Sequence, residues 1–307
     1  MSARAHAAVI GHPVAHSRSP ALFARFAAQT GIALDYAAVD VLPEQLESTL
    51  AAWRTADGFA GCNVTLPHKE RALALADRVD APARACGAAN VLTRAGAELV
   101  AGNTDVAGVE AALAQHGVAL RGARVAVLGA GGAARAVAEA ARRSGAASVV
   151  VAARDRGRAA ALATEFGAQA CGLDDVPVSD VYVNATPAGM QGQPQISLLP
   201  KNAPAGAAAF DLVYVPEETP FVLEARARGM RTITGTAMFL AQAAATFELW
   251  FGVWPLEVPA AGVSRTLRQA QGDTGAQGDT GAHGDTGAQG YTGAQGDTGA
   301  DCDGEGV

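Results

Sequence analysis

Cysteine is scarce in this 307-residue chain and falls in no pattern. Cys62, Cys86, Cys171 and Cys302 form no Cys-x-x-Cys pair and sit at no metal-ligand spacing. That excludes a disulfide framework and a thiolate metal centre, and leaves reduced, mostly buried small hydrophobes; no metal is expected. Long apolar runs are missing too. No segment approaches the roughly 20 apolar residues that span a bilayer. The opening MSARAHAAVIGHP has no apolar stretch long enough for a secretory signal. The expectation is a cytoplasmic protein with no membrane partner.

An excess of either charge is absent from most of the chain. The net charge of −7 comes from 23 basic and 30 acidic residues. Seven of the acids (Asp273, Asp279, Asp285, Asp297, Asp301, Asp303 and Glu305) lie beyond Gly272, where there is no Lys or Arg, so residues 1–271 carry 23 of each sign. A neutral body offers no electrostatic footprint for nucleic acid. Proline is absent from the one repeat. Residues 272–301 run in Gly-x-y triplets, the collagen period. Without imino acids such a chain is not held extended, and its glycines cost backbone entropy. Residues 271–307 therefore read as a disordered low-complexity tail, with a trimerising triple helix as the alternative.

What remains reads as two α/β domains. Strand and helix signals alternate over the first hundred residues: strands at 7–11, 36–41 and 59–64, helices at 21–29, 43–53 and 68–76, then a hairpin of 89–93 and 98–102. Ser19-Pro20 reads as a helix start, Ser as the N-cap and Pro in the first turn. The order implies a mostly parallel sheet with helices on its faces. A helix at 105–116 leads to further buried strands at 123–128, 148–152, 181–183 and 208–213, with a helix at 158–166 among them. An apolar helix at 237–251 should pack back between the domains. The expected division is 1–104, completed by 236–270, and 105–235.

The strand 123–128 runs into Gly129-Ala130-Gly131-Gly132-Ala133-Ala134 and then an alanine-rich helix. Gly129, Gly131 and Ala134 match G-x-G-x-x-G/A in the strand–loop–helix setting that gives this motif meaning. The first glycine allows the turn, the second lets a pyrophosphate approach the backbone, and Ala134 lets helix and strand pack closely. The phosphates sit at the helix N-terminus. At the end of the next strand, where an NAD site offers a carboxylate to the ribose, stand Arg154, Asp155, Arg156 and Arg158. Guanidinium groups there suit a 2′-phosphate, so NADP is favoured over NAD. Asp155 either neutralises one arginine or binds a ribose hydroxyl.

Short polar stretches interrupt the first domain at its strand ends: His16–Pro20, Asn63–Lys69, Ala89-Asn90 and Gly102–Asp105. Together they offer hydroxyls, amides, an ammonium and a carboxylate, a set suited to a small polyhydroxylated anion. Taken in order, Ser17-Arg18-Ser19-Pro20, NVTLPHK (63–69), GAAN (87–90), GNTD (102–105), GAGGAA (129–134), VNATPAGM (183–190) and GTAMFLAQAA (235–244) resemble the shikimate dehydrogenase family. The resemblance runs from Val9 to about Gly252. It implies a Rossmann domain beside a substrate domain, and reversible NADPH-dependent reduction of 3-dehydroshikimate to shikimate. It gives Lys69 and Asp105 the roles of catalytic lysine and carboxylate partner. Ser17 and Ser19 would hold the substrate carboxylate, Thr65, Asn90 and Gln242 would bind the ring hydroxyls or carboxylate, and Tyr214 matches a substrate-side tyrosine. Asn184, Thr186, Gly235 and Met238 would face the cofactor. The chemistry agrees with those residue types, since hydride delivery to a ketone needs a proton donor at the developing alkoxide. Two departures stand out: Ala153-Arg154-Asp155 replaces the family's usual Asn-Arg-Thr, and Ala237 stands where many relatives have glycine. The alternatives are a quinate/shikimate dehydrogenase of relaxed specificity, a non-catalytic NADP-binding protein and a methylenetetrahydrofolate dehydrogenase. The intact Lys69 and Asp105 argue against the second, and the Ser-x-Ser turn with NVTLPHK against the third. The expected assembly is a monomer or homodimer.

Overall fold

The computed structural model describes residues 4–255 and residue 258. The Gly-x-y tail, and most of the expected completion beyond 255, lie outside the described residues.

Two six-stranded sheets make up the molecule. In the first, β1 (Ala5–Gly11) lies between β2 (Leu34–Asp40) and β3 (Phe59–Val64), all parallel. They are joined by α1 (Ser19–Thr30) and by α2 (Leu46–Arg54), which is entered through a 3-10 turn at Pro43–Gln45. After β3 come α3 (Lys69–Leu75), β4 (Arg78–Val79), α4 (Ala81–Cys86) and the hairpin of β5 (Val91–Ala95) and β6 (Glu98–Gly102). The strand order is β2-β1-β3-β5-β6-β4. The hairpin makes this sheet mixed: β5 is antiparallel to β3 and β6, and β4 is parallel to β6.

One local expectation is corrected. Ser19 is not the N-cap of α1 but its first residue; the cap position is Arg18. Ser17 supplies the nearby acceptor, its Oγ taking the Ser19 N–H at 3.3 Å. Ser19 therefore keeps its hydroxyl free of capping.

The chain leaves through α5 (Asp105–Gln115) and builds the second sheet from β7 (Arg124–Leu128), α6 (Gly132–Arg143), β8 (Ser148–Ala152), α7 (Arg156–Phe166), β9 (Gln169–Cys171), β10 (Val181–Asn184), β11 (Ala208–Asp211), α8 (Pro220–Ala227) and β12 (Arg231–Ile233). All six strands are parallel, in the order β12-β11-β10-β7-β8-β9. From β7 the chain winds to one side through β8, then crosses back to the other through β10. This is the doubly wound arrangement, whose crevice opens at the C-terminal ends of β7 and β10. Val125, Val127, Val151, Val183 and Phe210 pack with the buried alanines of α6 on one face; Ala126, Leu128, Tyr182 and Phe221 form the core on the other.

The last helix, α9 (Gly235–Phe251), ties the two halves together. Its Ala243, Ala244 and Phe247 pack on Leu22, Phe23 and Phe26 of α1. Each of the three phenylalanines is at most 1 % exposed, and such burial stabilises by roughly 1.5–3 kcal/mol apiece. Upstream, α9 crosses α5 where Gly108 has no side chain. A Cβ there would lie 3.0 Å from Gln242 Cβ and 3.1 Å from Met238 Cγ. Arg135 of α6 also reaches the first half, donating to the Cys86 carbonyl at 3.1 Å.

Candidate active site

β3 ends at Val64, and Thr65-Leu66-Pro67 turns the chain into α3, whose first residue is Lys69. The turn passes close over β1 because residue 11 is glycine; a Cβ there would lie 2.4 Å from Thr65 Cγ2. β6 ends at Gly102, and α5 opens with Asp105. Two helix starts thus deliver the expected pair, and Lys69 Nζ donates to Asp105 Oδ2 at 2.5 Å. Their side chains are 15 % and 8 % exposed. The chain has only two lysines among its 23 basic residues. An arginine here could not release a proton, whereas a lysine can.

Asp105 is fixed from behind. Its Oδ1 accepts from Asn90 Nδ2 at 2.8 Å, and its backbone N–H donates to Asn103 Oδ1 at 3.0 Å. Asn90 Nδ2 also donates to Thr104 Oγ1 at 3.0 Å, and Asn90 Oδ1 accepts the Thr104 N–H at 2.7 Å. The chain of bonds continues from Thr104 Oγ1 to Thr246 Oγ1 on α9 (3.1 Å), from there to Asn63 Nδ2 (3.2 Å), and from Asn63 Oδ1 to the Tyr36 hydroxyl (2.8 Å). Asn63, Asn90, Thr104 and Thr246 are all buried. Sequence reasoning gave no site role to Tyr36, Asn63, Thr104 or Thr246. Thr246 did carry a signal, as a polar residue in the apolar helix 237–251. Gln242 itself is only half-buried and gives one amide N–H to the Phe239 carbonyl at 3.0 Å.

The other residues expected to bind substrate come from both halves. Ser17 and Thr65 are half-buried and Ser19 is buried. Tyr214 stacks on Phe239 of α9, ring centroids 4.5 Å apart and planes 8° apart. Burial raises its phenol pKa, and the positive charge of Arg18, from the first half, opposes the shift.

Across the cleft, Gly129 has φ +123°, and a Cβ there would lie 2.8 Å from the Ala185 carbonyl. Gly131 faces open space, and the N-terminus of α6 behind it has no side-chain cap. Ala130, Gly131 and Ala133 are half-exposed, while Gly129, Gly132 and Ala134 are buried. Free N–H groups facing an open cradle fit a pyrophosphate. Gly132 also touches the catalytic side, since its Cβ would lie 3.3 Å from Lys69 Cδ. Beyond β8, Asp155 forms no ion pair with an arginine among the described residues. Its Oδ1 caps α7, accepting from Gly157 N (2.9 Å) and Arg158 N (3.0 Å). Arg156 pairs instead with Asp175 at 2.6 Å. Of the three arginines, Arg154 and Arg158 stay exposed and outside any ion pair among the described residues. They fit a phosphate monoester.

Asn184 is fully buried, and its Oδ1 accepts from Thr186 N (3.1 Å) and Thr186 Oγ1 (2.7 Å). It holds the loop from which the half-exposed Thr186 faces Gly129. Gly235 is needed for close approach: a Cβ there would lie 2.5 Å from the Val213 carbonyl. Met238 is 8 % exposed. Among the described residues no helix is long and apolar enough to cross a membrane, and no group of three or more His, Cys, Asp or Glu is placed to hold a metal ion. Cys62 and Cys86 are buried and Cys171 half-buried, all free thiols.

Two family models match the sequence: the shikimate dehydrogenase substrate binding domain over residues 9–92, and shikimate / quinate 5-dehydrogenase over residues 111–190. A relative from Acidiphilium cryptum (strain JF-5) named NADP(+) shikimate dehydrogenase is 43% identical over 257 residues, 81% of this chain and 91% of its own length. This chain belongs to the shikimate dehydrogenase family. The shikimate 5-dehydrogenase of Thermus thermophilus, solved in complex with NADP(H) and shikimate, is 40% identical with a TM-score of 0.74, covering 87% of this chain and 99% of that one. The ligand-free 5-ketofructose reductase of Gluconobacter sp. strain CHM43 is 26% identical with a TM-score of 0.75, covering 88% of this chain and 99% of that one. The shikimate dehydrogenase frame is thus shared with a protein named for a different substrate.

Proposed function

We propose that this chain is an NADP-dependent shikimate dehydrogenase. It interconverts 3-dehydroshikimate and shikimate in the cytoplasm, on the route to chorismate and the aromatic amino acids, as a monomer or homodimer. One observation carries the reading: the buried Lys69–Asp105 pair at 2.5 Å, with the lysine stem against Gly132 of the glycine loop. A proton donor and a dinucleotide site thereby meet at one point.

NADPH, when bound, supplies hydride to the ketone carbon. Lys69 gives the proton that the carbonyl oxygen needs as it becomes an alkoxide, and takes it back in the reverse direction. Asp105 fixes the ammonium in place. Ser17 and Ser19 hold the substrate carboxylate, and Thr65, Gln242 and Tyr214 line the ring. Asn90 has both amide N–H groups engaged within the protein. Its Oδ1 accepts from Thr104, so Asn90 serves the ring site by holding Asp105 in place. Residues 129–134 cradle the pyrophosphate, Arg154 and Arg158 hold the 2′-phosphate, and Asn184, Thr186, Gly235 and Met238 shape the nicotinamide side. The first domain, 1–104 completed by 236–270, serves the substrate, and 105–235 the cofactor.

The test is growth of the reduced-nicotinamide absorbance with shikimate or quinate, each paired with NADP+ or NAD+. Turnover with shikimate and NADP+ alone is expected. Comparable turnover with quinate or NAD+ replaces this reading with the relaxed-specificity enzyme. No turnover with any pair, in folded protein that binds NADP+, overturns it.

A further inference from the structure

The second sheet buries a carboxylate that the proposed chemistry leaves unused. Asp211, the last residue of β11, has no exposed surface. It is in register with Asn184 of β10, which is in register with Leu128 of β7, so all three stand in the row directly beneath the crevice. Asp211 Oδ1 accepts from Asn184 Nδ2 and Val213 N, both at 2.9 Å, and Oδ2 accepts from Thr219 Oγ1 at 2.5 Å. All three donors are neutral. Among the described residues no lysine or arginine pairs with it or shifts its titration. Buried carboxylates ordinarily have a cationic partner. Burial raises this one's pKa to about 6, so it is charged at neutral pH.

The three bonds anchor two loops. Asn184 holds the loop that lies on Gly129, and Val213 belongs to the loop that lies on Gly235. Anchoring alone needs only acceptors, and a neutral amide would supply one without the desolvation cost of a charge. What the charge adds is a field directed at the strand ends. The arginines proposed for the 2′-phosphate follow β8, on one side of β7, and the phosphate cradle follows β7 itself. A dinucleotide laid across the crevice then has its nicotinamide end over β10 and β11. That ring carries a positive charge when oxidised and none when reduced.

We propose that the Asp211 carboxylate biases this site towards the oxidised, positively charged nicotinamide, so that it supports the positive charge that develops as hydride leaves the reduced form. The inference rests on the NADP reading above. Asp211 acts through space and touches no reacting atom; it is a positioning and electrostatic residue.

The measurement is the pair of dissociation constants for NADP+ and NADPH, by calorimetry and by NADPH fluorescence, at mildly alkaline pH where the carboxylate is ionised. Asp211→Asn keeps the shape and removes the charge. It should weaken NADP+ on the order of ten-fold, the effect of a unit charge across about a nanometre at an effective dielectric constant near 20, and leave NADPH nearly unchanged. Equal changes in both constants, or none, overturn the proposal. Thr219→Val keeps the charge and removes one anchor, so the ratio of the two constants should stay at the wild-type value. A shift matching that of D211N would make the effect one of anchoring and overturn it. If D211N does not fold, the wild-type protein decides: it should bind NADP+ at least as tightly as NADPH, and a clear preference for NADPH overturns the proposal. Binding of neither nucleotide by the wild type removes the NADP reading itself, and this inference with it.

Discussion

At one end of the cleft Asn63, Asn90, Thr104, Asp105 and Thr246 are buried and bonded to one another, drawn from β3, α5, α9 and the loops between. At the other end Arg154, just after β8, and Arg158, in the first turn of α7, stand in solvent. On the proposed reading, the difference follows from what each end does. Moving a proton requires a donor held at fixed distance and angle in a poorly solvated place, where any unmatched polar group costs about 1–3 kcal/mol. The interlocking is the consequence of that cost. Holding a phosphate requires only positive charge within reach, and a guanidinium in water tolerates small displacements while being screened by salt.

The comparison can be broken, beginning with the largest effect. Lys69→Ala should lower kcat by about 10²–10⁴-fold while the Kd for NADP+ stays near the wild-type value. Near-normal turnover in that variant would take Lys69 out of the mechanism. The next effect concerns the buried acid. The fold raises the Asp211 pKa from 3.8 to about 6. Its contribution to stability is therefore full below the unfolded value and lost as pH rises through the folded one, roughly 3 kcal/mol in all. Urea unfolding of wild type and D211N across that interval should show wild type losing ground to the variant by this amount as pH rises. Parallel curves would mean that the group titrates alike folded and unfolded.

At the exposed end, Arg154→Ala and Arg158→Ala should each weaken NADP+ roughly ten-fold and leave NAD+ alone. Added salt should erode the wild-type advantage. Equal losses for both nucleotides would mean that the arginines do not read the 2′-phosphate. A comparison of stabilities sharpens the contrast most. Thr246→Val should destabilise the fold by about 1–3 kcal/mol, because it takes the partner from one buried Asn63 amide N–H, whereas Arg154→Ala should stay within about 0.5 kcal/mol of wild type. Similar unfolding curves for the two would remove the distinction between the ends.

The sequence was most legible where chemistry is local. The glycine loop, Lys69 and Asp105 are each set by a few neighbouring residues and by the element they open. Asp155 shows the limit. Beside three arginines it reads as their neutraliser, yet its carboxylate caps α7, and the acid that pairs with Arg156 lies 19 residues on. Thr246 lies further out of reach, its Asn63 contact spanning 183 residues. β4, β9 and β12, of two or three residues each, are too short for periodicity to register. Asp211 could have been noticed, as a lone acid in the apolar run Ala207–Val213. What no pattern could supply was that no lysine or arginine among the described residues stands beside it.

Gly132 bears on how such a protein can be assembled from parts. The two family models meet the chain as separate stretches, 9–92 and 111–190, as if either half could be exchanged for a cousin's. Yet Lys69 belongs to the first stretch and rests on a glycine of the second, with 3.3 Å between its Cδ and the place a Cβ would take. An alanine there asks the lysine stem to give by a few tenths of an ångström, and anything larger displaces it from Asp105. A recombinant of two well-folded halves would pass every test of folding and still be inert if residue 132 arrived with a bulky side chain. At this contact the two halves must match to within the size of one side chain.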